Sequence, residues 1–185
     1  MDIIAQIIGV LGMICFISSF QFKNGLTIIL FQLIGSAFYC IQYTLFSIIA
    51  GTLYMGVLMN IIAVFRGIVY YKGKIFRADS IWWIIGFFTS YIACYILLFT
   101  VFGLTPNAHN LIIEFMPILG MIIAQISFRL KSANIIRILG GATTIPWGIY
   151  HGFHLSIGGI IGEVVNLLSV IIGVIRHDVK RRKNA

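Results

Sequence analysis

Residues 81–101 read IWWIIGFFTSYIACYILLFTV, 21 positions without a charge, bounded by Arg77 and Asp79 before and by Gly103 and Pro106 after. About 20 apolar residues, rising about 1.5 Å each, match a hydrocarbon layer roughly 30 Å thick, so the stretch predicts a membrane-spanning helix. Its place in the chain constrains the fold most: three comparable apolar segments precede it and three follow. One unpaired crossing between two sets of three returns the chain to its starting side. The second triple therefore enters the membrane in the same direction as the first. With 185 residues of which 60% are hydrophobic and only 10% charged, a soluble domain is excluded and an all-α, polytopic membrane protein is expected.

The segments predict seven transmembrane helices over 3–20, 26–46, 49–71, 81–101, 108–128, 133–150 and 156–175. They divide the chain into a first three-helix repeat (1–75), a linker helix (76–105), a second three-helix repeat (106–176) and a basic tail (177–185). The first segment has no basic residue before it and no small-x-small cleavage pattern, so it reads as a retained helix and not a signal peptide. Cys15, Cys40 and Cys94 all fall inside apolar segments, which suggests small core residues and no metal site or disulfide framework.

A net charge of +8 could point to nucleic acid, but the basic residues do not gather into one soluble patch. They mark topology. Seven crossings put Lys23, then Arg66, Lys72, Lys74 and Arg77, then Arg129, Lys131 and Arg137, then Arg176, Lys180, Arg181, Arg182 and Lys183 on one side, which accounts for all 13 Lys and Arg. The positive-inside rule makes that side cytoplasmic, with the N-terminus outside and the C-terminus inside. The expected partners are the lipid bilayer and a small polar solute, with no nucleic acid, no cofactor and homo-oligomer formation left open.

The second triple repeats the first at a nearly constant offset. VLGM at 10–13 falls on ILGM at 118–121, Phe20 on Phe128 and Lys23 on Lys131; Tyr43 falls on Tyr150, Gly51 on Gly158 and Asn60 on Asn166. Parallel repeats about an axis along the membrane normal are a known transporter architecture, with the solute site near the midplane between the halves.

Asn60 and Asn166 lie near the middles of their helices, where an amide must find a partner because lipid offers none. Each could be an interhelical bond worth on the order of 1 kcal/mol. Two at equivalent midplane positions favour recognition of a neutral polar solute through amide hydrogen bonds, with an aromatic face against it. Trp147, next to Pro146 and away from the helix ends, reads either as that aromatic face or as a core residue. Trp82 and Trp83 read as interfacial belt residues.

Glu114 and Glu163 are the acidic residues inside apolar segments. A charge at a helix centre costs roughly 2.5–3.5 kcal/mol on insertion scales, so such residues face a cavity or a partner. Glu163 lies three residues before Asn166, on the same helical face, and exchange of a proton there would make a coupled carrier. A structural bond to a neighbouring helix is the competing reading for Glu163 and the preferred one for Glu114. His151 and His154 read as solvated histidines of an outer loop, YHGFHLS, without a third metal ligand nearby. Glycines at 12, 35, 51, 120, 140, 158, 159 and 162 fall where helices would approach closely.

This pattern of three, one and three helices, with an asparagine midway along the third and seventh, resembles the SWEET/PQ-loop (MtN3-like) superfamily and, within it, the YgjV-like bacterial inner-membrane family. The resemblance implies an inner-membrane transporter whose paired asparagines, here Asn60 and Asn166, line a transport cavity flanked by an aromatic residue, here Trp147. It also implies proline hinges, which Pro117 and Pro146 match in the second half; Gly9 and Tyr39-Cys40 stand at the corresponding places in the first, and the chain has no Pro-Gln dipeptide. The function expected is a facilitator or proton-linked carrier of a sugar, nucleoside, vitamin or amino acid. A non-transporting receptor or assembly protein of the same fold is the alternative. An enzyme is not expected: no phosphate loop, dinucleotide fingerprint, nucleophile elbow or HExxH occurs, and Ser36, Thr143, Thr144 and Glu163 form no recognisable set.

Overall fold

The computed structural model describes residues 2–51 and 53–179, so Lys180, Arg181, Arg182 and Lys183 of the expected basic tail lie outside the described residues. Its elements are α1 (Asp2–Ser19), α2 (Gly25–Ala50), α3 (Tyr54–Tyr71), the single turn α4 (Gly73–Phe76), α5 (Ile81–Thr100), α6 (Ala108–Leu130), α7 (Ala133–Phe153) and α8 (Ile157–Gly173), followed by a π-helical end at Val174–Val179. Among the described residues there is no strand.

Helix starts follow side chains that satisfy the otherwise unpaired first N–H groups. Asn24 accepts from the Leu26 N–H at 3.0 Å. Asn107 accepts from the Asn110 N–H at 2.8 Å, and Ser80 accepts from the Trp82 N–H at 3.4 Å. α3 lacks such a cap, because Leu53 is apolar and sits at φ 64°. The phenol of Tyr150 on α7 supplies the acceptor instead, 3.3 Å from the Gly56 N–H. The expected boundary between the second and third helices moves. α2 continues through the apolar run FSIIA and ends where Gly51 takes φ 63°, a conformation glycine adopts without strain.

Among the described residues, five helices are long and apolar enough to cross a membrane: 25–49, 54–71, 81–100, 108–130 and 157–177. Two expected crossings differ from these. α1 is apolar but shorter, over Ile3–Ser19. α7 has the length but is less apolar, since it carries Asn134, Arg137, Thr143, Thr144 and His151. Its position accounts for this composition: α7 packs on α2, α6 and α8 and buries Arg137, Thr144 and His151, so its polar groups meet protein and not lipid. α5 is the opposite case, burying only Phe87, Tyr91 and Leu98 and turning Trp82, Ile85, Ile92 and Ile96 outward. Those outward residues suit acyl chains.

α1, α2 and α3 pack in succession, as do α6, α7 and α8; α1 then meets α8, α3 meets α6, and α2 meets α7. α5 lies against α3 and α6. The apolar core is centred on α3, α5 and α6, through Met59, Tyr70, Tyr91, Met121 and Phe128.

Candidate functional site

Inside the ring of six helices is a cavity of about 710 Å³. It is lined from α1, α2, α3, α6, α7 and α8, and none of its lining residues comes from α5. Its volume suits a small organic solute, and its wall mixes apolar surface with a few polar groups.

All four residues expected to meet a solute lie on this wall: Asn60, Trp147, Glu163 and Asn166. Asn60 is 6% exposed and donates through Nδ2 to the Gly56 carbonyl of its own helix at 2.8 Å. Among the described residues its Oδ1 has no hydrogen-bond partner. Asn166 is buried, and its Oδ1 is enclosed without a hydrogen-bond partner. A buried amide oxygen left unpaired costs about 1–3 kcal/mol, and a donor on a solute would satisfy this one. Glu163 is half-buried on the same face of α8 as Asn166.

Trp147 is positioned by a missing side chain: a Cβ built on Gly120 would stand 2.6 Å from its Nε1 and 2.8 Å from its Cδ1. The Nε1–Cδ1 edge of the indole therefore lies against Gly120 of α6. The first half holds a counterpart. Tyr39, which also lines the cavity, precedes Trp147 by the same 108 residues that separate Gly12 from Gly120, and its Cδ1 is 3.3 Å from a Cβ built on Gly12.

Tyr43, whose repeat match is Tyr150, touches the next residue, His151, 108 positions away. The Tyr43 hydroxyl and His151 Nε2 are 3.1 Å apart, and the rings stack at 6.1 Å with 4° between planes. Tyr39 lies 6.2 Å from Tyr43, and Trp147 lies 5.9 Å from His151. Four aromatic rings thus run from α2 to α7 on one wall of the cavity.

The histidines correct the sequence reading. The 133–153 helix is a turn longer than expected, so His151 is a buried helical residue, 4% exposed, and not a solvated loop residue. His154 closes that helix and pairs with Glu114 Oε1 at 2.8 Å, which gives Glu114 the interhelical partner expected for it. Among the described residues no group of three metal-ligating side chains assembles. Gly159 is a close approach, since a Cβ there would be 2.4 Å from the His151 ring, whereas Gly158 has nothing within 4 Å and needs no such explanation.

Pro117 and Pro146 lie inside α6 and α7, both buried and neither on the cavity wall. Each lacks an N–H and so interrupts the helical hydrogen-bond ladder, at 117 and 146 respectively.

Two arginines expected at the basic face are inside the bundle. Arg137, 1% exposed, donates through Nε to the Phe20 carbonyl at 2.9 Å and through a terminal nitrogen to the Phe22 carbonyl, tying the end of α1 to α7. Arg66, 5% exposed, lies on the cavity wall. Sequence reasoning missed Arg66, Tyr39 and the Tyr43–His151 pair as parts of the site. The last three residues were within reach of the 108-residue offset, and Arg66 was counted only as a topological charge.

Comparison with curated proteins and with solved structures gives no match. A model of the bacterial inner-membrane protein family Imp-YgjV matches residues 3–181, and the chain therefore belongs to that family of inner-membrane proteins.

Proposed function

We propose that the protein is a transporter, a facilitator or proton-linked carrier, for a small polar solute held in the cavity between two parallel three-helix repeats. On this reading α1–α3 and α6–α8 are the repeats, α5 is the linker, and the arrangement is SWEET-like. The observation that carries it is the cavity itself, with Asn60 and Asn166 on its wall and the Asn166 Oδ1 unpaired. The pattern of contacts supports the repeat. A two-fold axis along the membrane normal would carry the α1–α8 contact onto α6–α3 and return α2–α7 to itself, and Tyr43 meets His151, the neighbour of its repeat match Tyr150, at that self-paired contact. Contacts between equivalent regions are what a two-fold axis generates. Pro117 and Pro146 serve as hinges in α6 and α7, and Glu163 is the group that would exchange a proton.

The test begins with purified protein in a thermal-shift screen against sugars, nucleosides, vitamins and amino acids, since a specific ligand stabilises by mass action. Asn166→Ala should weaken the best ligand by about 1–3 kcal/mol. Uptake of that ligand into vesicles, with and without a pH gradient, then separates the carriers. If uptake is gradient-dependent, Glu163→Gln should retain binding and lose that dependence. Binding without uptake would leave a receptor and sink the transport reading.

A further inference from the structure

Arg66 is a charged group that the solute site so far does not use. Its guanidinium is anchored on one side: Nη1 donates to the Met121 carbonyl at 2.9 Å and lies 3.4 Å from the Tyr91 hydroxyl, while the Phe128 ring centroid is 5.0 Å from Cζ. Among the described residues Nε is buried without a partner, Nη2 has none, and no carboxylate lies within ion-pair distance. Glu163 is the acidic residue on the same wall, and it does not reach Arg66.

Comparison with Arg137 separates this arrangement from ordinary bracing. Arg137 is also buried, but its Nε and one terminal nitrogen donate to backbone carbonyls of the α1–α2 turn and it is not among the residues of the cavity wall. Arg66 is braced by one carbonyl and one phenol, while it lines the cavity with donors unused. A guanidinium held in a low-dielectric wall without an anion is costly, and its planar fork matches a carboxylate or phosphate. Ionisable groups inside membrane bundles mark solute paths for this reason.

We propose that the solute of this cavity carries an anionic group, a carboxylate or a phosphate, and that Arg66 receives it. The inference rests on the transport reading above and adds the charge class of the solute to it. If the asparagines share one level, Arg66 lies about 9 Å along α3 from Asn60, and Glu163 about 4.5 Å from Asn166 in the opposite direction. The anion then sits at the far end of the cavity from the acid, and the polar body of the solute lies between, against the asparagine amides and the Trp147 ring.

Matched pairs that differ in the anion test this: glucose and glucose 6-phosphate, uridine and uridine 5′-monophosphate, lactate and lactamide, alanine and alaninamide. Each is added to purified wild-type protein at constant ionic strength, and the shift in melting temperature is read. The expected result is that the anionic member of at least one pair stabilises and its neutral partner does not. Arg66→Gln should weaken that ligand about thirtyfold or more, and Arg66→Lys should weaken it less. Equal stabilisation by both members of a pair would overturn the anion assignment while leaving a polar-solute carrier intact. Anion-dependent stabilisation that survives in Arg66→Gln would overturn the role of Arg66. No stabilisation by any member would overturn this proposal and count against the carrier itself. The wild-type comparison decides the charge class even if Arg66→Gln does not fold.

Discussion

Gly120 fixes Trp147 more tightly than any side chain could, because the indole occupies the volume where a Cβ would stand. Gly120→Ala must displace the ring or the helix, and overpacking of this kind costs about 1–3 kcal/mol. In protein whose Trp82 and Trp83 are replaced by Phe, the emission of the remaining indole should shift and ligand stabilisation should fall. Gly148→Ala, at a position with nothing within 4 Å, should change neither. Unchanged emission in Gly120→Ala would mean that Trp147 is not held against α6. The presence of an aromatic at 147 was readable from the sequence, and so was the glycine at 120. Their contact was not, since it depends on how α6 and α7 cross, and Tyr39 was missed because its partner Gly12 looked like any other small residue at a helix interface.

Among the elements, α7 explains what sequence could and could not reveal. The caps at Asn24, Ser80 and Asn107 and the turn at Gly51 are local signals, and the helices they bound lie close to expectation. The end of α7 has no such signal: Ser156 opens the next helix without a side-chain cap bond, and the sequence YHGFH resembles a loop although it continues the helix to Phe153. Burial of His151 follows from its partner Tyr43, which is 108 residues away. A similar separation, 117 and 115 residues, hid the role of Arg137. Its bonds to Phe20 and Phe22 hold the α1–α2 turn, and a charged hydrogen bond is worth about 1.5–3 kcal/mol. Arg137→Met should therefore lower the melting temperature of the detergent-solubilised protein clearly. Lys131→Met removes an exposed ion pair to Asp79, worth at most about 1 kcal/mol, and should lower it little. Equal losses would show that Arg137 is not the brace of this turn.

For the whole molecule, the number of crossings turns on α1, which is short, and on α7, which is less apolar than a typical lipid-facing span. Residues 75 and 155 decide it. Ile75, in α4, is 74% exposed, and Leu155, in the turn between α7 and α8, is 83% exposed; α5, α6 and α7 lie between them. Three crossings put the two sites on opposite sides of the membrane, whereas an α7 that failed to cross would put them on the same side. Lys72, Lys74 and Arg77 lie around Ile75, so the positive-inside rule predicts that its side is cytoplasmic. In protein with Cys15, Cys40 and Cys94 replaced by alanine, Leu155→Cys should react with an impermeant maleimide in intact cells. Ile75→Cys should react only after the membrane is opened. The reverse pattern would invert the orientation while keeping seven crossings. Equal reactivity of both sites from one side would remove α7 as a span, and with it the parallel relation of the two triples, because α8 would then run opposite to α3 and Asn166 could no longer be the two-fold equivalent of Asn60.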